Sequence, residues 1–207
     1  MASWRPSNII KKGQPTELEP LFSKDDKDMF YKYLSKATNY FEYGSGGSTV
    51  QASLRKNILN IYSVESDKSW HNKIKEIIKK SNIKYVYVEM GTLPNTFGAA
   101  GPNSTSDEKI NYSQQILLLE KQEVDNIDFI LIDGRFRVAC CLKSLSVIND
   151  NCIIAFDDFL NRHEYHIVLD YCDIIDNTTD NRLVILKRKS GIEIPREIIA
   201  KYELIPN

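Results

Sequence analysis

Five short apolar runs, each stopped by a glycine or a carboxylate and each followed by an amphipathic or polar stretch, leave this chain very few folds to adopt. The runs are Asn39 to Tyr43, Ile61 to Val64, Tyr85 to Val88, Phe129 to Ile132 and Cys152 to Phe156. The fourth is apolar at every position, as expected of a strand covered on both faces. Between the runs lie helical patterns: Ser48 to Asn57, Lys68 to Lys80, Asp107 to Lys121 and Val138 to Ile148. In the second of these, Trp70, Ile74, Ile77 and Ile78 share one face with lysines opposite. An amphipathic helix over Lys24 to Ala37 precedes the first run. A helix near Asn161 to Leu169 and strands near Asp173 to Ile175 and Leu183 to Leu186 follow the fifth. Strands that alternate with helices need right-handed crossovers and pair in parallel. The predicted fold is therefore α/β: a doubly wound, mostly parallel, seven-stranded sheet with helices on both faces.

The 207 residues suffice for one core, and Pro6, Pro15 and Pro20 mark a polar arm. The expected organisation is an arm over 1–20 and a single domain over 21–207. Hydrophobic residues make up 42% and charged residues 27%, which excludes a disordered or collagen-like chain. A net charge of -1 gives no overall attraction to nucleic acid or to anionic lipid. No stretch reaches the roughly 18 apolar residues of a membrane span, and the opening residues lack a signal-peptide core. A cytoplasmic location is the expectation. The four cysteines form no CxxC pair and read as reduced core residues. The sequence leaves the oligomeric state open, a homo-oligomer included.

In a parallel sheet ligands bind beyond the carboxyl ends of the strands. Those ends carry Glu42 to Gly47, Glu65, Glu89 to Thr92, Asp133 and Asp157-Asp158. The turn Gly44-Ser45-Gly46-Gly47 lets backbone approach a ligand closely, and Ser48 opens a helix with unpaired amides. Glu65 lies nineteen positions beyond Gly46, at the end of the second strand, where an acid accepts both hydroxyls of an adenosine ribose. A hydride-transferring enzyme prefers a third glycine, and Thr49 stands there instead, which favours adenosylmethionine over NAD. The segment Gly91 to Asp107, rich in Gly, Pro, Asn, Ser and Thr, is too long for a plain connection and reads as a lid.

Phe41-Glu42-Tyr43-Gly44-Ser45-Gly46-Gly47-Ser48-Thr49 resembles the first motif of class I S-adenosylmethionine-dependent methyltransferases. Tyr62 to Asp67 resembles their second, and Asp128 to Gly134 their fourth-strand motif. The likeness spans Asn39 to Phe159. It implies that Glu42 and the glycines hold the methionine end, that Glu65 and Ser66 hold the ribose, and that Glu89 to Thr92, with Gly91, border the adenine. Asp133 would also border the cofactor. The chain is further similar to magnesium-dependent O-methyltransferases acting on sugars and catechols. These place an aspartate after the fourth strand and an acidic pair after the fifth, where Asp133, Asp157 and Asp158 stand. By that resemblance the three hold Mg2+, which would lower the pKa of an acceptor hydroxyl. The alternative is that they cap a helix and start a turn.

Asp157 and His163 are the candidate bases, and His166 is a candidate acceptor contact. Either histidine would otherwise be a surface residue. Arg135 and Arg137 flank Phe136 at the mouth of the site, where they would bind an anionic acceptor or pair with neighbouring carboxylates. The expected activity is O-methylation of a small polar acceptor, a sugar or nucleotide sugar. A nucleic-acid methyltransferase and a noncatalytic adenosine-binding scaffold are the alternatives.

Overall fold

The computed structural model describes residues 18–206. Seven strands form one sheet: β1 (Asn39–Tyr43), β2 (Asn60–Glu65), β3 (Ile83–Tyr87), β4 (Phe129–Ile132), β5 (Ile153–Phe156), β6 (Cys172–Asn177) and β7 (Val184–Arg188). Their order is β3-β2-β1-β4-β5-β7-β6. The first five are parallel, and β7 lies antiparallel between β5 and β6. Among the described residues seven α-helices accompany them: α1 (Lys24–Leu34), α2 (Gly47–Leu54), α3 (Lys68–Ile77), α4 (Ser106–Ser113), α5 (Lys121–Asn126), α6 (Arg137–Val147) and α7 (Arg196–Tyr202). The doubly wound, mostly parallel sheet expected from the sequence is what forms.

The two-residue period of a strand divides the core. Ile130 and Ile132 of β4 point to one face, packing with Tyr112, Val138, Cys141 and Leu145. Phe129 and Leu131 point to the other, with Phe30, Leu34 and Ala52. All four cysteines are buried free thiols, as expected. No described helix is long and apolar enough to cross a membrane.

Three local expectations change. The helix expected over Asp107 to Lys121 ends at Ser113, is followed by a 3-10 turn over Gln115–Leu118, and resumes as α5. The buried Tyr43 hydroxyl enters this break, donating to the Ser113 carbonyl at 2.8 Å and accepting from the Ile116 amide at 3.4 Å. It satisfies backbone groups that a continuous helix would have paired internally. The helix expected near Asn161 is a 3-10 helix, His163–Asp170. The hydrophobic pattern predicts no helix near the end of the chain, yet α7 packs on α6, and Glu203 just beyond it pairs with the buried Lys143 at 2.5 Å.

Most of the expected arm, residues 1–17, lies outside the described residues. Leu18, however, packs against Val50, Ile74 and Ile78, and Glu19 runs so close over Gly47 that any side chain there would collide with its backbone. The core therefore begins earlier than residue 21.

Candidate active site

Register alone brings the chemistry together. Tyr43 lies opposite both Val64 and Ile132, and Ile132 opposite Phe156. The next residue on each strand falls in one row across the sheet: Gly44, Glu65, Asp133 and Asp157. The chain turns away here, and the space left is an open cleft of about 720 Å3. Two backbones cross tightly at its centre. Gly44 has φ +96°, and a Cβ on it would meet the Asp133 carbonyl at 2.9 Å. A Cβ on Gly134 would lie 3.0 Å from the Gly44 nitrogen.

At one end of the cleft, Glu65 accepts three backbone amides: Ser45 at 3.1 Å, Ser66 at 2.7 Å and Asp67 at 2.7 Å. Burial nonetheless pushes its pKa up to about 7, because three neutral donors only partly replace water. The Ser45 contact ties the glycine turn to the acid, and Trp70 locks the same residue by donating from Nε1 to its carbonyl at 2.7 Å. Gly46 and Gly47 line the cleft beside Ser48. A Cβ on Gly46 would meet nothing within 4 Å, so the turn leaves a cradle open to a ligand.

Glu42 lies beneath this surface and does not line the cleft. It is fully buried and accepts from the hydroxyls of Tyr40 at 2.9 Å, Ser48 at 2.7 Å, Ser63 at 2.7 Å and Thr49. The Thr49 hydroxyl in turn accepts from the Gly46 amide at 2.8 Å. Glu42 and Thr49 thus hold the turn from behind, where direct cofactor contact was expected. Gly91, with φ +58°, packs at the neck of the long loop and also lies outside the cleft lining. Glu89 is exposed and bonds to Tyr87 and to the Gly91 amide. The wall expected from Glu89 to Thr92 is instead made by Pro94, Asn95, Phe97 and Gly98.

The other end of the cleft is an ionic cluster. Arg137 Nη2 lies 3.1 Å from Asp133 Oδ1, and its Nη1 lies 3.4 Å from Asp157 Oδ2 and 3.5 Å from Asp158 Oδ2. Arg182 reaches Asp157 at 3.4 Å and Asp158 at 3.2 Å, and Arg162 reaches Asp158 at 3.1 Å. Burial and the neighbouring Asp157 carboxylate hold the Asp133 carboxyl well above the usual carboxylate range, against the pull of Arg137. Burial raises Asp157 as well, against the pull of Arg137.

The metal expectation is corrected here. Among the described residues no group of three or more His, Cys, Asp or Glu side chains is arranged to hold a metal ion. The crowded negative charge of Asp133, Asp157 and Asp158 is balanced by guanidinium groups, and these residues do not fit Mg2+. Of the two readings of Arg137, the ion-paired one describes its contacts; Arg135 donates to the carbonyls of Phe97 at 3.0 Å and Thr96 at 2.8 Å. His163 is exposed, His166 packs on Phe159 with ring centroids 5.4 Å apart, and neither lines the cleft. Sequence reasoning missed Trp70, Tyr112, Arg162 and Arg182 as lining residues. Only Trp70, five positions after Glu65, carried a positional signal.

The sheet order is that of the class I methyltransferase fold. Among solved structures, a methyltransferase-like protein from Silicibacter pomeroyi aligns with TM-score 0.75 and 23% identity, covering 90% of this chain and 96% of that one. An O-methyltransferase from Bacillus cereus, crystallised in complex with SAH, aligns with TM-score 0.56 and 12% identity over 83% of each chain. No protein-family profile matches the chain, and no curated protein matches it.

Proposed function

We propose that this chain is an S-adenosylmethionine-dependent methyltransferase that methylates an oxygen of a small polar acceptor, a sugar or nucleotide sugar. One observation carries the reading: the open glycine turn is bonded to a buried acid on the neighbouring strand, Ser45 to Glu65 at 3.1 Å. That pair matches the two halves of the cofactor, an amino-acid tail lying against backbone amides and a ribose presenting two hydroxyl donors. The structural neighbour solved with SAH lends further support.

S-adenosylmethionine supplies, when bound, a methyl group on a sulfonium, ready for in-line attack. The work left to the chain is positioning and proton removal. Glu65 and Ser66 fix the ribose, while Gly46, Gly47 and Ser48 receive the amino-acid tail. Asp157 lines the cleft, has a raised proton affinity, and takes the acceptor proton. Arg135, Arg162 and Arg182 line the acceptor end and fit an acceptor carrying an anionic group.

Calorimetric titration with adenosylhomocysteine tests the reading. Wild type should bind it, and Glu65→Ala should lose about ten- to hundredfold in affinity, the value of a charge-assisted bidentate contact. A screen of sugars and nucleotide sugars for acceptor-dependent release of adenosylhomocysteine then identifies the acceptor. Tight NADH binding without any response to adenosylhomocysteine would overturn the proposal. Binding of adenosylhomocysteine without turnover of any acceptor would leave a scaffold.

A further inference from the structure

The cation among the three aspartates is part of the chain. We infer that Arg137 occupies the place a divalent metal would take between Asp133, Asp157 and Asp158, and that it keeps the site closed to Mg2+ and Mn2+ until it is removed. The inference concerns the proposed acceptor end but stands on the ion pairs alone.

The backbone is bent to put the guanidinium there. Phe136, immediately after the β4 turn, is left-handed at φ 53°, and Asp158, after β5, is left-handed at φ 59°. A left-handed non-glycine residue is held only by well-fixed surroundings. Arg137 is therefore the first residue of α6, and its side chain runs back under both strand ends, only 10% exposed. Its Nε donates to the Gly134 carbonyl at 3.0 Å and its Nη1 to the Asp157 carbonyl at 2.8 Å. Nη1 and Nη2 also reach the three carboxylates. These contacts come from both strand ends at once, as a metal's ligands would.

Two properties of the guanidinium make the substitution chemically sound. It does not lose its proton in a protein, so its charge is permanent. It is also planar and bonds at nitrogen-oxygen distances near 3 Å, whereas Mg2+ needs oxygens at about 2.0 to 2.1 Å in an octahedron. A dication entering beside a buried guanidinium would therefore meet a like charge in a weakly screening medium. Arg162 and Arg182, with side chains 40% and 35% exposed, sit at the rim and cannot replace it.

The test is cation binding, read by Mn2+ calorimetry and by the electron paramagnetic resonance of free Mn2+. Wild type should show no site up to millimolar Mn2+. Arg137→Met, which keeps an unbranched apolar stem and removes the charged head, should gain one site per chain, lost again when Asp157→Asn is added. Arg137→Lys retains a cation and should stay blind. A wild-type site abolished by Asp157→Asn, or a folded Arg137→Met without any site, overturns the inference. Should Arg137→Met fold only with help, its melting temperature decides: Mn2+ at about a hundred times Kd should raise it by several degrees, while wild type stays unmoved. An Arg137→Met that neither folds nor recovers with Mn2+, beside a wild type whose melting point rises with Mn2+, also overturns it. Adenosylhomocysteine titrated into the same samples reports the methyltransferase reading separately.

Discussion

At the scale of single residues, Glu65 ties stability and binding to the same proton. Its folded pKa of about 7 lies above an ordinary 4.5, because burial penalises the carboxylate more than three amides reward it. The folded state therefore holds this proton more tightly than the unfolded one. The stability it contributes is complete below about pH 4.5 and declines as pH rises to about 7, by on the order of 3 kcal/mol. Ribose hydroxyls donate, so a nucleoside ligand prefers the ionised acid and must expel the proton below pH 7. Adenosylhomocysteine should bind about tenfold more tightly for each pH unit gained up to 7, then level off. Calorimetry in buffers of different ionisation enthalpy should find close to one proton released at pH 6 and none at pH 8.5; equal release at both would dissociate Glu65 from the ligand. This acid was readable in the sequence because a strand end and a spacing from glycine define it. Arg162 and Arg182 were not, since which of many arginines reaches a cleft is decided by loop geometry that residue order does not encode. Glu42 was read as a contact, although its hydroxyl partners Tyr40, Ser48, Thr49 and Ser63 turn it inward.

At the scale of elements, the connection between β3 and α4 holds the cleft's upper wall by few attachments. The Gly98 carbonyl accepts from Ser66 at 2.8 Å, and Arg135 donates to the Thr96 and Phe97 carbonyls. Leu93 and Phe97 are exposed, and Asn95, Phe97 and Gly98 all have positive φ. Gly98 lies directly over Glu65, where an added Cβ would come within 3.3 Å of the carboxylate. A segment with so little buried apolar surface opens locally at small cost. Hydrogen exchange over residues 91–105 should slow when adenosylhomocysteine is added, and unchanged rates would argue against closure. The glycines and length of this loop announced it from sequence. The break between α4 and α5 did not show, because it depends on the Tyr43 hydroxyl arriving from β1, a partner seventy residues away from Ser113.

At the scale of the whole molecule, the alternating pattern was enough to give the parallel half of the sheet, since each run maps to one strand. The antiparallel insertion of β7 had no such signal and follows from pairing on both sides. That hairpin is clasped by the beginning of the fold: Thr179 donates to Asp25 from its amide at 2.7 Å, and Lys32 pairs with Asp176 at 2.6 Å. Its turn carries Arg182 to Asp157 and Asp158. Arg182→Ala should cost about 1 to 2 kcal/mol, a buried-pair loss discounted for partial exposure, and lower Tm by roughly 2 to 8 °C in calorimetry. An unchanged Tm would show Arg137 and Arg162 to be sufficient. A ribosome makes Asp133, Asp157 and Asp158 before it makes the turn that carries Arg182. A nascent chain stalled before the turn at Arg182 therefore lacks both the neighbour that β5 pairs with and the last countercharge of the cleft. The ionic end of the cleft is, in consequence, complete only once synthesis has passed the hairpin turn.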